Sequence, residues 1–258
     1  RGLMLDVSRH FFTKQEVKRF IDLMAEYKYN VFHWHLSDDQ GWRVEIKSLP
    51  RLTDVGAWRA PRVGNWWERE PQSVTDSLTY GGFYTQDDIR EVVEYARERF
   101  ITVVPEIDVP GHSMALLTAY PEISCTGGPF HVNVGNTFYT KEENSLCVGK
   151  EKTFAILDMI FDELVDLFPS SYIHIGGDEC YKGFWAKCPD CRARMSSKQL
   201  QNVEELQSYF VKRVASHMQS KGKHVIGWDE ILEGGLAKDA IVMSWRGMKG
   251  GVEAARQG

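Results

Sequence analysis

Short apolar runs alternate with amphipathic stretches along the chain. GLMLDV (2–7), NVFHWHL (30–36), ITVVPEIDV (101–109), YIHIG (172–176), HVIGWD (224–229) and AIVMSW (240–245) are rich in β-branched and aromatic residues and predict strands. Short runs of this kind suit parallel strands buried on both faces. Between them the apolar period lengthens to that of a helix. TKQEVKRFIDLMAEY (13–27) opens with Thr13 and Glu16 at capping-box spacing and carries the stripe Val17, Phe20, Ile21 and Met24. TQDDIREVVEYARER (85–99) repeats the design with Thr85, Asp88 and the stripe Ile89, Val92, Val93 and Ala96. A third helix carries Leu157, Ile160, Phe161 and Leu164, and a fourth follows Asn202 with Leu206, Phe210 and Val214 facing inward.

Strand–helix alternation implies parallel βα units. The expected class is α/β, a TIM-type (β/α)8 barrel of which about six strands are recognisable. Two long interruptions, 51–84 and 121–149, fall where βα loops belong, and loops of that length usually carry function. A barrel places its chemistry at the C-terminal ends of its strands. Here those ends read Asp6 to Arg9; His33, His35 and Asp38; Glu106, Asp108 and His112; Asp178 and Glu179; Trp228 and Asp229; Trp245 and Arg246. Polar groups at the same end of successive strands argue for a site.

Composition narrows the partners. The chain has 258 residues, 43% of them hydrophobic, enough for one barrel or two smaller domains. A net charge of −5 supplies no basic field, which argues against nucleic acid or an anionic membrane surface. No apolar run approaches the roughly 20 residues needed to cross a bilayer. Eight tryptophans suit a site that stacks on flat ligands or sugar rings, though they suit a core equally. No signal peptide is visible, and Arg1 leads straight into a strand, so the natural start is expected upstream. Of the five cysteines, Cys180, Cys188 and Cys191 offer three candidate zinc ligands with no obvious fourth; a local disulfide or free thiols are favoured over a metal.

Three constellations carry candidate chemistry. His33 and His35 share one strand face, as a metal-binding pair would. His174 and His224 lie too low on their strands to complete that set, so histidines hydrogen-bonded to neighbouring carboxylates are the favoured reading. In DVPGH, Asp108 and His112 flank a Pro-Gly turn that would let the carboxylate orient the imidazole; a plain strand-to-helix turn is the alternative. In GGDE, Gly176 and Gly177 allow a tight turn, and Asp178 and Glu179 repel each other at the end of a buried strand. A helix N-terminus would explain one acid but not two glycines.

RGLMLDVSRHFF, HWHLSDDQGWR, VVPEIDVPGH, HIGGDE and IGWDEI, in this order from Arg1 to about Trp245, resemble the signatures of glycoside hydrolase family 20, the β-N-acetylhexosaminidases. The resemblance implies hydrolysis of terminal β-linked N-acetylglucosamine or N-acetylgalactosamine from oligosaccharides or glycoconjugate glycans, with no metal and no cofactor. It implies a retaining mechanism in which the substrate's own acetamido oxygen attacks the anomeric carbon to give an oxazolinium ion. Glu179 then matches the general acid and later base, and Asp178 the group that holds the acetamido N–H. The neighbouring anion is expected to keep Glu179 protonated. Arg9 matches a residue gripping sugar hydroxyls, Asp38, Asp108 and His112 a supporting polar network, and Trp228 and Trp245 pocket aromatics.

The resemblance also implies a disulfide between Cys125 and Cys147, and with it an oxidising compartment. Trp66 and Trp67 are candidates for an outer sugar platform. The Tyr, Asp and Trp that complete the family pocket on the last two strands are not found before Gly258, nor is the preceding small domain. Residues 1–258 are therefore expected to form one catalytic barrel domain truncated at both ends. The rival readings are a carbohydrate-binding relative without turnover and a metal-dependent barrel hydrolase. The absence of any Asn-x-Ser/Thr acceptor favours a bacterial secreted or periplasmic enzyme over a lysosomal one. Oligomeric state and gluco-versus-galacto preference are not legible.

Overall fold

All six apolar runs are strands of one sheet. A computed structural model describes residues 1–135 and 140–257. The strands are β1 (Gly2–Asp6), β2 (Val31–Asp38), β3 (Gly41–Trp42), β4 (Trp58–Arg59), β5 (Tyr80–Gly81), β6 (Thr102–Ile107), β7 (Tyr172–His174), β8 (His224–Trp228) and β9 (Ile241–Met243). The helices are α1 (Lys14–Glu26), α2 (Arg51–Asp54), α3 (Gln86–Arg97), α4 (Met114–Ala119), α5 (Glu151–Leu167), α6 (Gly183–Lys187), α7 (Pro189–Lys198), α8 (Val203–Ser220) and α9 (Met248–Gln257). The main sheet runs β1-β2-β6-β7-β8-β9, every neighbouring pair parallel, with β3 turned back antiparallel on β2. Strands that follow one another in space as they do in sequence, joined by helical crossovers, make the wall of a TIM-type barrel.

The alternation within β2 separates core from site. Phe32, Trp34 and Leu36 are fully buried. Phe32 meets Phe20 of α1 with ring centroids 5.6 Å apart, and Trp34 meets Tyr84 at 4.8 Å. The intervening His33, His35 and Ser37 face the opposite side, where His33 stacks on His174 at 4.6 Å. The apolar set thus joins the helices and the polar set lines the interior.

Local chemistry fixes the helices. Thr13 Oγ1 accepts from Glu16 N–H while Glu16 accepts from Thr13 N–H, and Thr85 and Asp88 make the same reciprocal pair at α3. Asn202 caps α8 by accepting from Glu205 N–H. Val17, Ile21 and Met24 of α1 and Ile89, Val92 and Ala96 of α3 are buried, whereas Phe20 and Val93 are only partly so.

The interruption at 51–84 contains α2 and the antiparallel pair β4–β5. It is tied down by Arg43, a fully buried side chain whose guanidinium donates to the carbonyls of Val7, Ser8, Gln40, Ala57 and Gly82. Each acceptor is a buried backbone oxygen, and among them Ala57 O also accepts from Gly82 N–H. Among the described residues, no helix is long and apolar enough to cross a membrane.

Candidate active site

The strand β7 stops at His174 because the next backbone turns sharply. Gly176 and Gly177 have φ of +67° and +91°. A Cβ on Gly176 would lie 1.8 Å from Asp108 Oδ1, so only glycine admits this approach. Glu179 itself has φ +43°, as does His112 at φ +48° across the cleft. Non-glycine residues pay for this left-handed conformation, and such strain gathers at functional sites. Gly111 completes the fit: a Cβ there would approach Asp178 O to 2.9 Å. The two turns, PGH and GGDE, are packed against each other.

His112 is the hinge of the polar network. Its Nδ1 lies 3.1 Å from Asp38 Oδ1, and its Nε2 lies 3.6 Å from Asp178 Oδ2 and 3.4 Å from Glu179 Oε2. Asp38 is saturated. Its Oδ1 also accepts from Asp39 N–H at 2.6 Å, and its Oδ2 meets Arg9 Nη1 at 2.6 Å and His35 Nε2 at 2.8 Å. Below it, Glu106 gathers His33 Nε2 at 2.7 Å, His35 Nδ1 at 2.5 Å, His174 Nδ1 at 3.0 Å and the Trp228 indole N–H at 3.1 Å.

These contacts set the charges. Burial works against ionisation throughout, but His35 lies between Glu106 and Asp38, which hold its pKa well above the usual histidine value. His112 is likewise held high, against burial, by Asp38, Asp39 and Glu179. Asp38 and Glu106 stay well below the ordinary carboxylate range because their cationic partners outweigh burial. Asp108 goes the other way, raised by burial and by Asp178. Asp178 is raised to about 6, chiefly by burial, with Glu106 and Asp38 adding to it and His112 opposing. Glu179 is lowered, first by its contact with His112. The expectation that the adjacent anion keeps Glu179 protonated is corrected by the structure. Glu179 is 44% exposed and touches an imidazolium, whereas Asp178 is 16% exposed and takes the upward shift.

Met4, Arg9, His35, Asp108, His112, Asp178, Glu179, Trp228 and Trp245 line a cleft of about 230 Å³. A larger groove of about 610 Å³ runs on from Glu179 and Trp245 past Tyr181, Lys182 and Glu233. The smaller cleft holds the convergent titratable groups and is the better candidate for the chemistry. Trp245 is steadied by its indole N–H on Glu230 Oε2 at 3.0 Å, and Arg246 Nε by Asp229 Oδ2 at 3.0 Å.

Of the residues singled out in the sequence, Arg9, Asp108, His112, Asp178, Glu179, Trp228 and Trp245 line this cleft, and Asp38 lies directly behind them. The histidine pair is engaged by Glu106 and Asp38. His174, low on its strand, shares Glu106 with His33. Trp66 lies under Arg69 and beside Gly135, and Trp67 is exposed; neither lines the described clefts. Sequence reasoning gave Glu106 no more than a strand-end position and missed Asp39 and Glu230. Asp39 accepts from Met114 N–H and from the Asn144 side-chain amide, tying the His112 turn to the 121–149 loop. Residues 136–139 of that loop lie outside the described residues.

The cysteines depart most from expectation. Cys125 and Cys147 form no disulfide; all five thiols are free. The argument for an oxidising compartment that rested on this bond falls with it. Cys180 stands apart, its thiol pushed up to about 12 by burial. Cys125, Cys147, Cys188 and Cys191 instead converge, all four sulfurs within 4.8 Å of one another. No spacing rule links pairs so far apart in the chain.

Residues 1–258 match the glycosyl hydrolase family 20 catalytic domain. The chain is 48% identical over 255 residues to a β-hexosaminidase of Porphyromonas gingivalis, covering 99% of this chain and 31% of the relative. It is 44% identical over 259 residues to a β-hexosaminidase of Vibrio furnissii, covering 100% of this chain and 41% of the relative. Among solved structures, the β-N-acetylhexosaminidase of Bacteroides fragilis superposes with a TM-score of 0.83 at 37% identity, over 100% of this chain and 48% of that one. The exo-β-N-acetylglucosaminidase of Vibrio harveyi in complex with N-acetylglucosamine superposes with a TM-score of 0.84 at 39% identity, over 100% and 40%. The chain thus spans less than half the length of these relatives. With its TIM-type α/β wall and cleft, this chain belongs to glycosyl hydrolase family 20 and matches that family's catalytic domain along its whole length.

Proposed function

We propose that the protein is a β-N-acetylhexosaminidase that removes terminal non-reducing N-acetylglucosamine or N-acetylgalactosamine with retention, by substrate assistance. One observation carries the reading: Asp178 lines the cleft, and its Oδ1 is buried with no hydrogen-bond partner. A buried carboxylate oxygen without a donor is costly, and an acetamido N–H entering the cleft would supply one. Held by Asp178, the acetamido group turns its carbonyl oxygen on the anomeric carbon. Glu179, the more exposed of the pair, protonates the leaving oxygen as the C–O bond breaks. The resulting oxazolinium cation forms beside the Asp178 carboxylate. Water then attacks the anomeric carbon, Glu179 takes its proton, and the acetamide is regenerated.

Sugar binding supports this protonation. A ring lying over Glu179 removes its water, which raises its pKa toward the value an acid needs. Arg9, fixed by Asp6 and Asp38 with 37% of its side chain exposed, grips vicinal hydroxyls. Trp228 and Trp245 cover the apolar sugar face and the acetamido methyl. The test is release of 4-nitrophenol from its β-N-acetylglucosaminide by the protein and by Glu179→Gln. Release that falls in the variant, and turnover that falls further on an alkyl or sugar glycoside, supports the reading. Saturable N-acetylglucosamine binding without turnover in either would replace it with a carbohydrate-binding role.

A further inference from the structure

We infer that Cys125, Cys147, Cys188 and Cys191 form a structural zinc site, closed by four protein thiolates and lying outside the catalytic cleft. The geometry is that of a tetrathiolate centre. Cys147 Sγ lies 3.7 Å from Cys188 Sγ and 3.6 Å from Cys191 Sγ, and Cys125 Sγ lies 3.7 Å from Cys191 Sγ. Four sulfurs held about 2.3 Å from a central zinc stand about 3.8 Å apart along the edges of the tetrahedron. A disulfide needs its sulfurs at about 2.05 Å, and none of these pairs is near it.

The surroundings favour thiolates. Cys188 is the N-cap residue of α7 and Cys191 is in its first turn, where unpaired amides and the helix dipole stabilise negative charge. Lys150 Nζ bonds the carbonyls of Glu122 and Ser124, and Arg194 bonds that of Gly149. Lys150 therefore places a cation on the segments adjoining Cys125 and Cys147, whereas Arg194 is already paired with Glu151 at 2.5 Å. Sulfur ligands in a tetrahedron select zinc over the hard, oxygen-seeking divalent ions.

The site joins two segments that flank the chemistry. Cys125 and Cys147 belong to the loop after α4. Within it, Leu146 N–H donates to Pro110 O and Asn144 O accepts from Ser113 N–H, on either side of His112. Cys188 and Cys191 follow directly from the GGDE turn through α6, whose buried Trp185 donates its indole N–H to Leu146 O at 2.8 Å. At Gly149 a Cβ would fall 2.2 Å from the Asp190 carbonyl carbon, so the two segments touch backbone to backbone. Zinc here clips the His112 turn to the Asp178–Glu179 turn without reaching the substrate.

The experiment uses the untagged protein, purified without chelator or reductant. Elemental analysis should find one zinc per chain, and the denatured protein with EDTA should titrate all five cysteines as free thiols. Sulfur-only coordination at about 2.3 Å in X-ray absorption completes the expected result. Cys147→Ser should lose the metal, while Cys180→Ser should keep one zinc per chain. One titratable thiol, with four cysteines in disulfides, would overturn the site. Five thiols without stoichiometric zinc would overturn it equally. Since metal content and thiol count are read without substrate, the result is independent of hexosaminidase activity.

Discussion

Asp178 and Glu179 are consecutive, yet the first is nearly buried behind His112 and the second stands open to the cleft. The left-handed backbone at Glu179 and the glycines before it separate the two carboxyl groups into different environments. Different environments permit different roles, one anion held against a developing cation and one proton carrier.

Replacing Glu179 by Gln keeps the shape of the side chain and removes its proton. Turnover of an alkyl or sugar glycoside should fall about 10²–10⁴-fold. An aryl glycoside with a good leaving group needs less protonation, so its first step should fall less. Equal losses on both substrates would contradict the assignment of Glu179 as acid.

Asp178→Asn should lower turnover and raise stability together. Asp178 is raised to about 6 from 3.8 in an ordinary carboxyl. Between those values the folded protein holds a proton that the unfolded chain has released, so stability is lost as pH rises from about 4 through 6. The neutral amide removes that loss, a gain of about 1–3 kcal/mol at pH 7 and none at pH 3.5. Thermal unfolding of both proteins across that range measures it. Over the same window, wild-type kcat/KM should fall as the pH drops below about 6, because in the proposed mechanism a protonated Asp178 no longer offsets the oxazolinium charge.

Arg9→Lys tests recognition separately from chemistry. A lysine keeps the charge near Asp38 but lacks the planar fork proposed to bind two hydroxyls. Losing hydrogen bonds to a charged group costs about 1.5–3 kcal/mol, so kcat/KM should drop about 10–100-fold, mostly through KM. A change confined to kcat would move Arg9 from binding to chemistry.

Arg43→Lys should leave the cleft residues intact and destabilise the fold. Five backbone carbonyls receive the guanidinium, and an ammonium has three donors in a different geometry. Ala57 O keeps the Gly82 N–H, so at least one buried acceptor is stranded, for a cost of about 1–3 kcal/mol in denaturant unfolding.

The strands and capped helices were legible because they follow from local patterns. β2 is read directly from its alternation of Phe32, Trp34 and Leu36 against His33, His35 and Ser37. Its ends were less so: β7 stops at His174 because Gly176 must let Asp108 approach, a tertiary demand. The cleft residues were found because chemistry-bearing groups recur at strand ends. Asp39, Glu230 and Arg43 escaped because each acts through backbone or side-chain partners distant in sequence. The same distance hid the cysteine cluster, whose pairs are joined by folding alone. The charge on Glu179 is not legible in the sequence, because adjacency shows only Asp178 while His112 lies 3.4 Å away through the fold.

The most direct measurement of the central claim is kcat/KM for 4-nitrophenyl N-acetylglucosaminides carrying zero to three fluorines on the acetamido methyl. Fluorine withdraws electrons from the carbonyl oxygen that is held to be the nucleophile. The account predicts a steep decline with each added fluorine in the wild-type protein. Rates insensitive to fluorination would mean that the acetamido oxygen does not attack, and that an enzyme carboxylate or water does so in its place.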